Sequence, residues 1–492
     1  MGFEGGRKHE MPALQVIVLG SGGGPEEDNV TSFLVRATAT CWKRGSILAV
    51  DAGVHMSAIK RILDTHKQNR PFDPKDQTSS SSEPVILTDG PFEGLEIPHT
   101  SSRANAGYIH RELVQCLLLT HPHLDHCSGF IMNTASLPTA RPKRIAGLPD
   151  TIEALKTHIF NNVIWPNLSD ENNGAGLITY MRLVEGGSVA LGEGDSRGYV
   201  EVCDGLCVKT LTLSHGHCFE RHSHRGSNAG FSPVRSPNIS ILERSPRLGP
   251  SMLQRNNSLI SGLGEPSRTD CRERVCVYES SAYFIRDFAT GREVLIFGDV
   301  EPDSVSLSPR NHLVWAEAAP KIVSGTLGGI LIECSYDNSR ADELLFGHMS
   351  PHHLIDELKN LAERVSAHRE GLASPAKRKR DSNGVLPVHG YPAKVARVIS
   401  MSPVSPLSAG SRKEFYDPIA SPPRDGPSDL KHWPHGTKPL KGFKVVIIHV
   451  KENLVDGPNA GEIILKELQE LEEVIGLGCE FIMSSSGQSL YF

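Results

Sequence analysis

Short apolar runs, each strand-length and closed by turn residues, recur along the chain: Leu14 to Leu19, Ile47 to Val50, Gln115 to Leu119, Cys207 to Leu213, Val294 to Phe297, Ile330 to Ile332 and Lys444 to Ile448. Most are continuous rather than alternating, which predicts strands covered on both faces. Ala282 to Phe288 differs, because Tyr283, Phe284 and Ile285 are mixed with Arg286 and Asp287; it predicts a less buried strand. Helical spacing appears between the runs. With Ser350 as N-cap and Pro351 at the first helical position, Leu354, Leu358, Leu361 and Val365 fall on one face. From Ala460 to Ile475, Ile464, Leu468, Leu471 and Ile475 line one side while Glu and Lys cover the other. Strands that alternate with outer helices make an α/β layered domain.

Three stretches break this pattern. Residues 67–83 carry a serine run, 221–274 are rich in Arg, Ser and Pro, and 368–442 are rich in Pro and Ser. None holds enough apolar surface to offset its own ordering entropy, so all three read as disordered surface insertions. They interrupt a single folded unit over residues 14–492.

Charge and cysteine usage narrow the class. A formal net charge of -6 lacks the basic excess of a nucleic-acid binder. No apolar stretch is long enough to span a membrane. Ten cysteines are scattered without a CxxC pair. Cys203 and Cys207 therefore read as buried thiols in a reducing compartment rather than as a metal knuckle. An intracellular, cytoplasmic protein is expected. The run Lys377 to Arg380 could serve as a nuclear signal, although a solvated basic cluster is the simpler reading.

Candidate chemistry concentrates after the strand ending at Leu119, in Thr120-His121-Pro122-His123-Leu124-Asp125-His126. Three imidazoles and a carboxylate at the mouth of a buried strand make a strong metal-site signal. His121 and His123, two apart, can leave an extended segment on one side and grip one ion, while Asp125 and His126 reach a second. Three later strands also end in potential ligands: His215, Asp299 and His449. Ligands drawn from several strand ends converge on one edge of a sheet, so the set is more informative than any member. His217 repeats the HxH spacing and competes with His215.

The motifs HPHLDHCSGFIMNTA, IFGDVEPDSVS, LIECSYDNS, LFGHMSPHHL and HVKE resemble the class II cyclic-nucleotide phosphodiesterases of the metallo-β-lactamase superfamily. The resemblance implies an αββα sandwich and two divalent ions, zinc first among them. His121, His123 and His215 would hold one ion, Asp125, His126 and His449 the other, and Asp299 would bridge both. Such a pair, ~3.5–4 Å apart, could carry a bridging hydroxide as nucleophile. The expected reaction is hydrolysis of 3',5'-cyclic nucleotides, cyclic AMP and also cyclic GMP, to 5'-monophosphates, attenuating cyclic-nucleotide signalling. Beside the ligands, His348 is the candidate proton donor or phosphate contact, and Asp51 and Glu333 are expected to orient ligands from behind. Gly20 to Gly24 lacks P-loop spacing and reads as a tight turn near the site. Asp28, Asn29 and Ser32 could contact ligand or stabilise that loop.

Two rival functions share these residues. A ribonuclease Z-like endonuclease would use the same ligands but needs a basic surface for tRNA, and a non-catalytic binding module would need no metal. Ser258, three residues after Arg255, and Ser232, Ser236 and Ser245, each before Pro, make 221–274 a candidate kinase substrate.

Overall fold

The computed structural model describes residues 12–67, 85–137, 141–188, 190–191, 194–220, 274–373 and 437–492. Its strands are β1 (Leu14–Gly20), β2 (Ser32–Ala37), β3 (Ile47–Ala52), β4 (Val85–Ile86), β5 (Glu96–Ile97), β6 (Val114–Leu118), β7 (Lys143–Gly147), β8 (Ile178–Arg182), β9 (Val200–Cys203), β10 (Leu206–Glu220), β11 (Arg274–Asp287), β12 (Glu293–Phe297), β13 (Leu327–Glu333), β14 (Lys444–Ile448), β15 (Glu480–Met483) and β16 (Ser489–Tyr491). The helices are α1 (Met56–Lys67), α2 (Ser102–Tyr108), α3 (Leu124–Asn133), α4 (Pro149–Ala154), α5 (Asn311–Ser324), α6 (Pro351–Ala373) and α7 (Ala460–Ile475).

Two seven-stranded sheets, ordered β16-β1-β2-β3-β6-β7-β8 and β15-β14-β13-β12-β11-β10-β9, stack face to face. Side-chain alternation along β1 explains the continuous apolar runs. Leu14, Val16 and Val18 enter the core between the sheets, where Tyr283, Ile296, Leu331 and Val446 meet them. Ile17 and Leu19 point the other way, into a core shared with Ile59, Leu63 and Phe130 of α1 and α3. The second sheet does the same: Leu295, Ile330 and Ile447 pack on Trp315, Leu358 and Ile464 of α5, α6 and α7. This is the αββα sandwich that the sequence resemblance implied.

In the first sheet β3 runs parallel to β6, and in the second β12, β13 and β14 are mutually parallel. Parallel neighbours finish at the same edge, and in such sheets that edge is where ligands gather. Asp51, Thr120, Asp299, Glu333 and His449 all sit at or just past these strand ends.

Two expectations need correction. Ala282, Tyr283, Phe284 and Ile285 are fully buried, so β11 is a central strand rather than a less covered one. Its charges belong to its end: Asp287 accepts from Ala289 N at 3.2 Å, Thr290 N at 3.1 Å and Thr290 Oγ1 at 2.5 Å, closing the turn into β12. The stretch expected to leave the fold at His368 stays helical to Ala373. Arg369, Glu370, Leu372 and Ala373 are good helix formers that carry the helix past Gly371, and Pro375 disfavours helix at the residue before it. At the far end of that stretch, Leu440 is buried and its N–H donates to Leu477 O at 2.9 Å. The rest of that insertion, and nearly all of 67–83 and 221–274, lie outside the described residues, as do the serines of the kinase reading and the basic run at 377–380. Cys203 and Cys207 are buried free thiols, and no helix among the described residues is long and apolar enough to cross a membrane.

Candidate metal centre

Six residues after β6 supply the first wall of the site. His123 precedes α3, so Asp125 and His126 leave its first turn rather than a loop. Gly53 makes that packing possible, because a Cβ there would lie 1.8 Å from the Asp125 carbonyl oxygen. Gly53 O in turn accepts from Gly129 N at 2.8 Å, fastening α3 to the end of β3. Just before it, Asp51 is held at φ 51, a left-handed conformation unusual for a residue with a side chain. That turn aims its carboxylate at the wall: Thr120 N and Oγ1 donate to it at 2.9 and 2.8 Å, and His126 Nδ1 lies 2.8 Å away.

The second wall comes from the other sheet. His215 sits at a bulge in β10, where Gly216 separates it from His217; His215 is buried and His217 exposed. Asp299 follows β12. His449, after β14, is left-handed at φ 58 and packs against the Gly20 to Gly24 turn, with Ser21 O accepting from His449 N at 2.6 Å. Strained conformations of this kind cluster at functional sites, where the surrounding fold enforces them.

Hydrogen bonds fix which imidazole nitrogens face the centre. The Thr31 hydroxyl donates to Gly22 O at 3.1 Å, so it accepts from His449 Nδ1 at 2.7 Å. Thr120 Oγ1, already donating to Asp51, likewise accepts from His121 Nδ1 at 3.0 Å. His126 Nδ1 donates to Asp51, and His215 Nδ1 donates to Gly347 O at 2.9 Å. With each Nδ1 engaged from behind, Nε2 is the ring atom left to face the centre, the orientation that metal ligands need. Gly347 can approach this closely only as glycine, at φ +84 with a Cβ position 2.7 Å from the His215 carbonyl carbon.

These Nε2 atoms converge on Asp299. Its Oδ2 lies 3.5 Å from His121 Nε2, 3.5 Å from His215 Nε2 and 3.2 Å from His449 Nε2, while Oδ1 is 3.2 Å from His126 Nε2. Two clusters result, His121, His123, His215, Asp299 and Asp125, His126, Asp299, His449, with donor atoms inside each no more than 4.8 Å apart. His126 Nε2 and His449 Nε2 are buried without a hydrogen-bond partner, a costly arrangement that a divalent cation would relieve. Burial and the neighbouring imidazoles hold His121 well below the usual histidine range, which keeps it neutral and able to ligate. Burial alone would raise Asp299, but His126, His449 and His121 hold its carboxyl well below the usual range. The donor set thus fits a divalent metal.

A third group completes the floor. Glu333 accepts from Val300 N at 2.6 Å and Ser335 Oγ at 2.5 Å, and His348 Nδ1 lies 3.0 Å from both its oxygens. The His348 ring sits 4.8 Å from that of His215 and 5.2 Å from that of His449. The three loop residues each have a partner within the fold: Asp28 pairs with Arg61 at 3.2 Å, Asn29 Oδ1 accepts from Ser21 N at 3.3 Å, and Ser32 Oγ donates to Asp51 O at 3.4 Å. Thr31 and Gly347, which orient two of the histidines, escaped the sequence reading. The glycine before His348 was the one available signal, since a glycine beside a candidate site often marks a close backbone approach.

An αββα sandwich whose strand ends gather imidazoles and carboxylates around one shared aspartate defines a protein of the metallo-β-lactamase class. Within it, the sequence model of the class-II cAMP phosphodiesterases matches residues 16–222, 262–374 and 429–487. The chain belongs to that family. A probable 3',5'-cyclic-nucleotide phosphodiesterase of Yersinia pestis is 26% identical over 480 residues, covering 98% of this chain and 90% of its own. A 3',5'-cyclic-nucleotide phosphodiesterase of Schizosaccharomyces pombe is 27% identical over 71% of this chain and 75% of its own. The crystal structure of unliganded yeast PDE1 superposes with a TM-score of 0.59 at 20% identity, covering 98% of this chain and 100% of that one.

Proposed function

We propose that this chain hydrolyses 3',5'-cyclic nucleotides, cyclic AMP first and cyclic GMP second, to 5'-monophosphates at the edge where the two sheets meet. Family membership supports the substrate class. The observation that carries the site assignment is the sharing of Asp299 by both clusters. One divalent ion would be held by His121, His123 and His215, a second by Asp125, His126 and His449, with Asp299 between them. Imidazole-rich donors favour a borderline ion, zinc foremost. When bound, such ions supply Lewis acidity and an activated water for phosphodiester hydrolysis.

The chain's own residues position and protonate. Asp51, Thr31, Thr120 and Gly347 lock four imidazoles from behind, so the donor geometry exists before substrate arrives. His348 is the proton donor in this reading: Glu333 engages its Nδ1 and orients the ring, which leaves the proton at Nε2 for the substrate. Transfer of that proton to the ribose 3'-oxygen accompanies breakage of the phosphorus–oxygen bond and leaves a 5'-monophosphate. The catalytic unit spans residues 14–492 as one domain.

The test is hydrolysis of cyclic AMP, cyclic GMP and precursor tRNA by purified protein and by His123→Ala. Release of 5'-AMP by the wild type, its collapse in the variant and an untouched tRNA are expected. Cleavage of tRNA, or full activity in the variant, overturns the reading.

A further inference from the structure

We propose that Asp342, His352 and His353 form a separate binding site for one divalent transition-metal ion, at the start of α6 and outside the two clusters around Asp299. The three donors come from adjoining elements, a short turn over Asp342–Leu344 and the first turn of α6. Their ligand atoms all lie within 4.8 Å of one another. His353 Nε2 is 3.8 Å and His352 Nε2 is 4.0 Å from Asp342 Oδ1. Zinc–nitrogen and zinc–oxygen bonds of ~2.0–2.2 Å place tetrahedral donors ~3.4 Å apart. A shift of a few tenths of an ångström by the half-exposed Asp342 carboxylate closes the difference.

Both imidazoles are braced on the side away from the aspartate. Asn338 Oδ1 accepts from the His352 backbone N–H at 3.0 Å and lies 2.9 Å from His352 Nδ1, so that nitrogen carries its proton. Ser350, fully buried, sets its hydroxyl 3.0 Å from His353 Nδ1 and 3.0 Å from His352 Nδ1. With the Nδ1 atoms engaged, both Nε2 atoms are turned toward Asp342, and the rings stand 3.8 Å apart between centroids. Oriented, backed imidazoles beside a carboxylate are the pattern of a ligand set rather than of a surface ion pair. Burial and the neighbouring His352 push His353 down to about 4, so it is neutral near pH 7 and no cation itself. Two imidazoles and one carboxylate select a borderline ion of the zinc class over magnesium or calcium, and exposure of Asp342 and His352 leaves room for water to complete the shell.

Occupancy has a consequence at the centre. The Asp342 turn leads through Leu345, whose carbonyl accepts from His348 N at 3.1 Å, to Gly347, whose carbonyl holds His215. A cation on Asp342, His352 and His353 pins this segment to α6 at both ends.

The experiment is a calorimetric titration of zinc chloride into the zinc-loaded full chain, beside Asp342→Asn and His352→Ala. Wild type is expected to take one further equivalent. Loss of outer partners alone typically weakens metal sites ~10–100-fold, so each variant should bind that equivalent more than about tenfold more weakly. Before the further equivalent is added, basal hydrolysis and unfolding temperature of both variants should match wild type, since both side chains are about half exposed. His123→Ala should lose zinc at the centre and keep the peripheral equivalent, which separates failure of this site from failure of the catalytic one. Amide exchange over residues 342–348 should slow with zinc in wild type only. No further uptake by wild type, or equal uptake by all variants, overturns the site; uptake without slowed exchange overturns the pinning.

Discussion

The two walls of the centre are built in opposite ways. One is local: His121, His123, Asp125 and His126 fall within six consecutive positions where β6 turns into α3, and one buried carboxylate, Asp51, braces that junction through Thr120 and His126 from the neighbouring strand. The other is distributed. His215, Asp299 and His449 leave three different strands of the second sheet, spread over 235 positions, and only the order β14-β13-β12-β11-β10 brings them together. A local wall depends on the chemistry of one strand–helix junction, whereas a distributed wall depends on the register of a whole sheet. Both walls carry the same signature in the backbone: a non-glycine residue in left-handed conformation, Asp51 on one and His449 on the other.

The sharpest way to break this pairing is Asp299→Ala, because that carboxylate is the one group common to both clusters. Turnover of cyclic AMP should fall to the detection limit, and metal content measured on the dialysed protein should fall with it. Next comes His348→Gln, which leaves both walls intact. Loss of a positioned acid lowers kcat by about 10²–10⁴-fold, with metal content unchanged. The braces behind the walls should matter less: Asp51→Asn and Thr31→Val are each expected to weaken metal affinity by ~10–100-fold, with activity regained in excess zinc. Asp51→Asn should be the worse of the two, since Asp51 receives three hydrogen bonds and Thr31 orients one ring.

The smallest expected effect separates acid damage to the fold from acid damage to the centre. His55 and His110 form a buried pair, 3.1 Å between Nε2 and Nδ1, under the helices of the first sheet, with Lys143 donating to His110 O at 2.8 Å. Burial, reinforced by the Lys143 charge, pushes His55 down to about 3. Its unfolded form binds a proton near pH 6.5, so folding loses stability as pH falls from there toward 3, by about 1.4 kcal/mol per unit. In His55→Gln that slope should shrink by this amount, as read from denaturant midpoints at pH 7 and pH 5.5, while the pH dependence of hydrolysis stays as in wild type.

Legibility in the sequence followed the same division between local and distributed. The HxHxDH run and the Ser350-Pro351 helix start are contiguous signals; α6, placed by that start, and α7, placed by its apolar spacing, begin at the expected residues. The strand ends bearing His215, Asp299 and His449 were readable one by one, but nothing in a linear chain states that β10 and β14 lie in one sheet. β11 misled because Arg286 and Asp287 suggested a wet face, when they mark where the strand ends: Arg286 sits 3.7 Å from buried Glu293 and Asp287 caps a turn. Thr31 was invisible because its role depends on a ring 418 positions away. The same holds for β16, whose Leu490 pairs with Val16 across almost the whole chain.

Anomalous diffraction at the zinc edge, from crystals of the zinc-loaded protein, tests the shared-aspartate centre most directly. Two peaks ~3.5–4 Å apart should flank Asp299, one against His121, His123 and His215 and the other against Asp125, His126 and His449. A single peak, or peaks that leave Asp299 without a metal on either side, would contradict it.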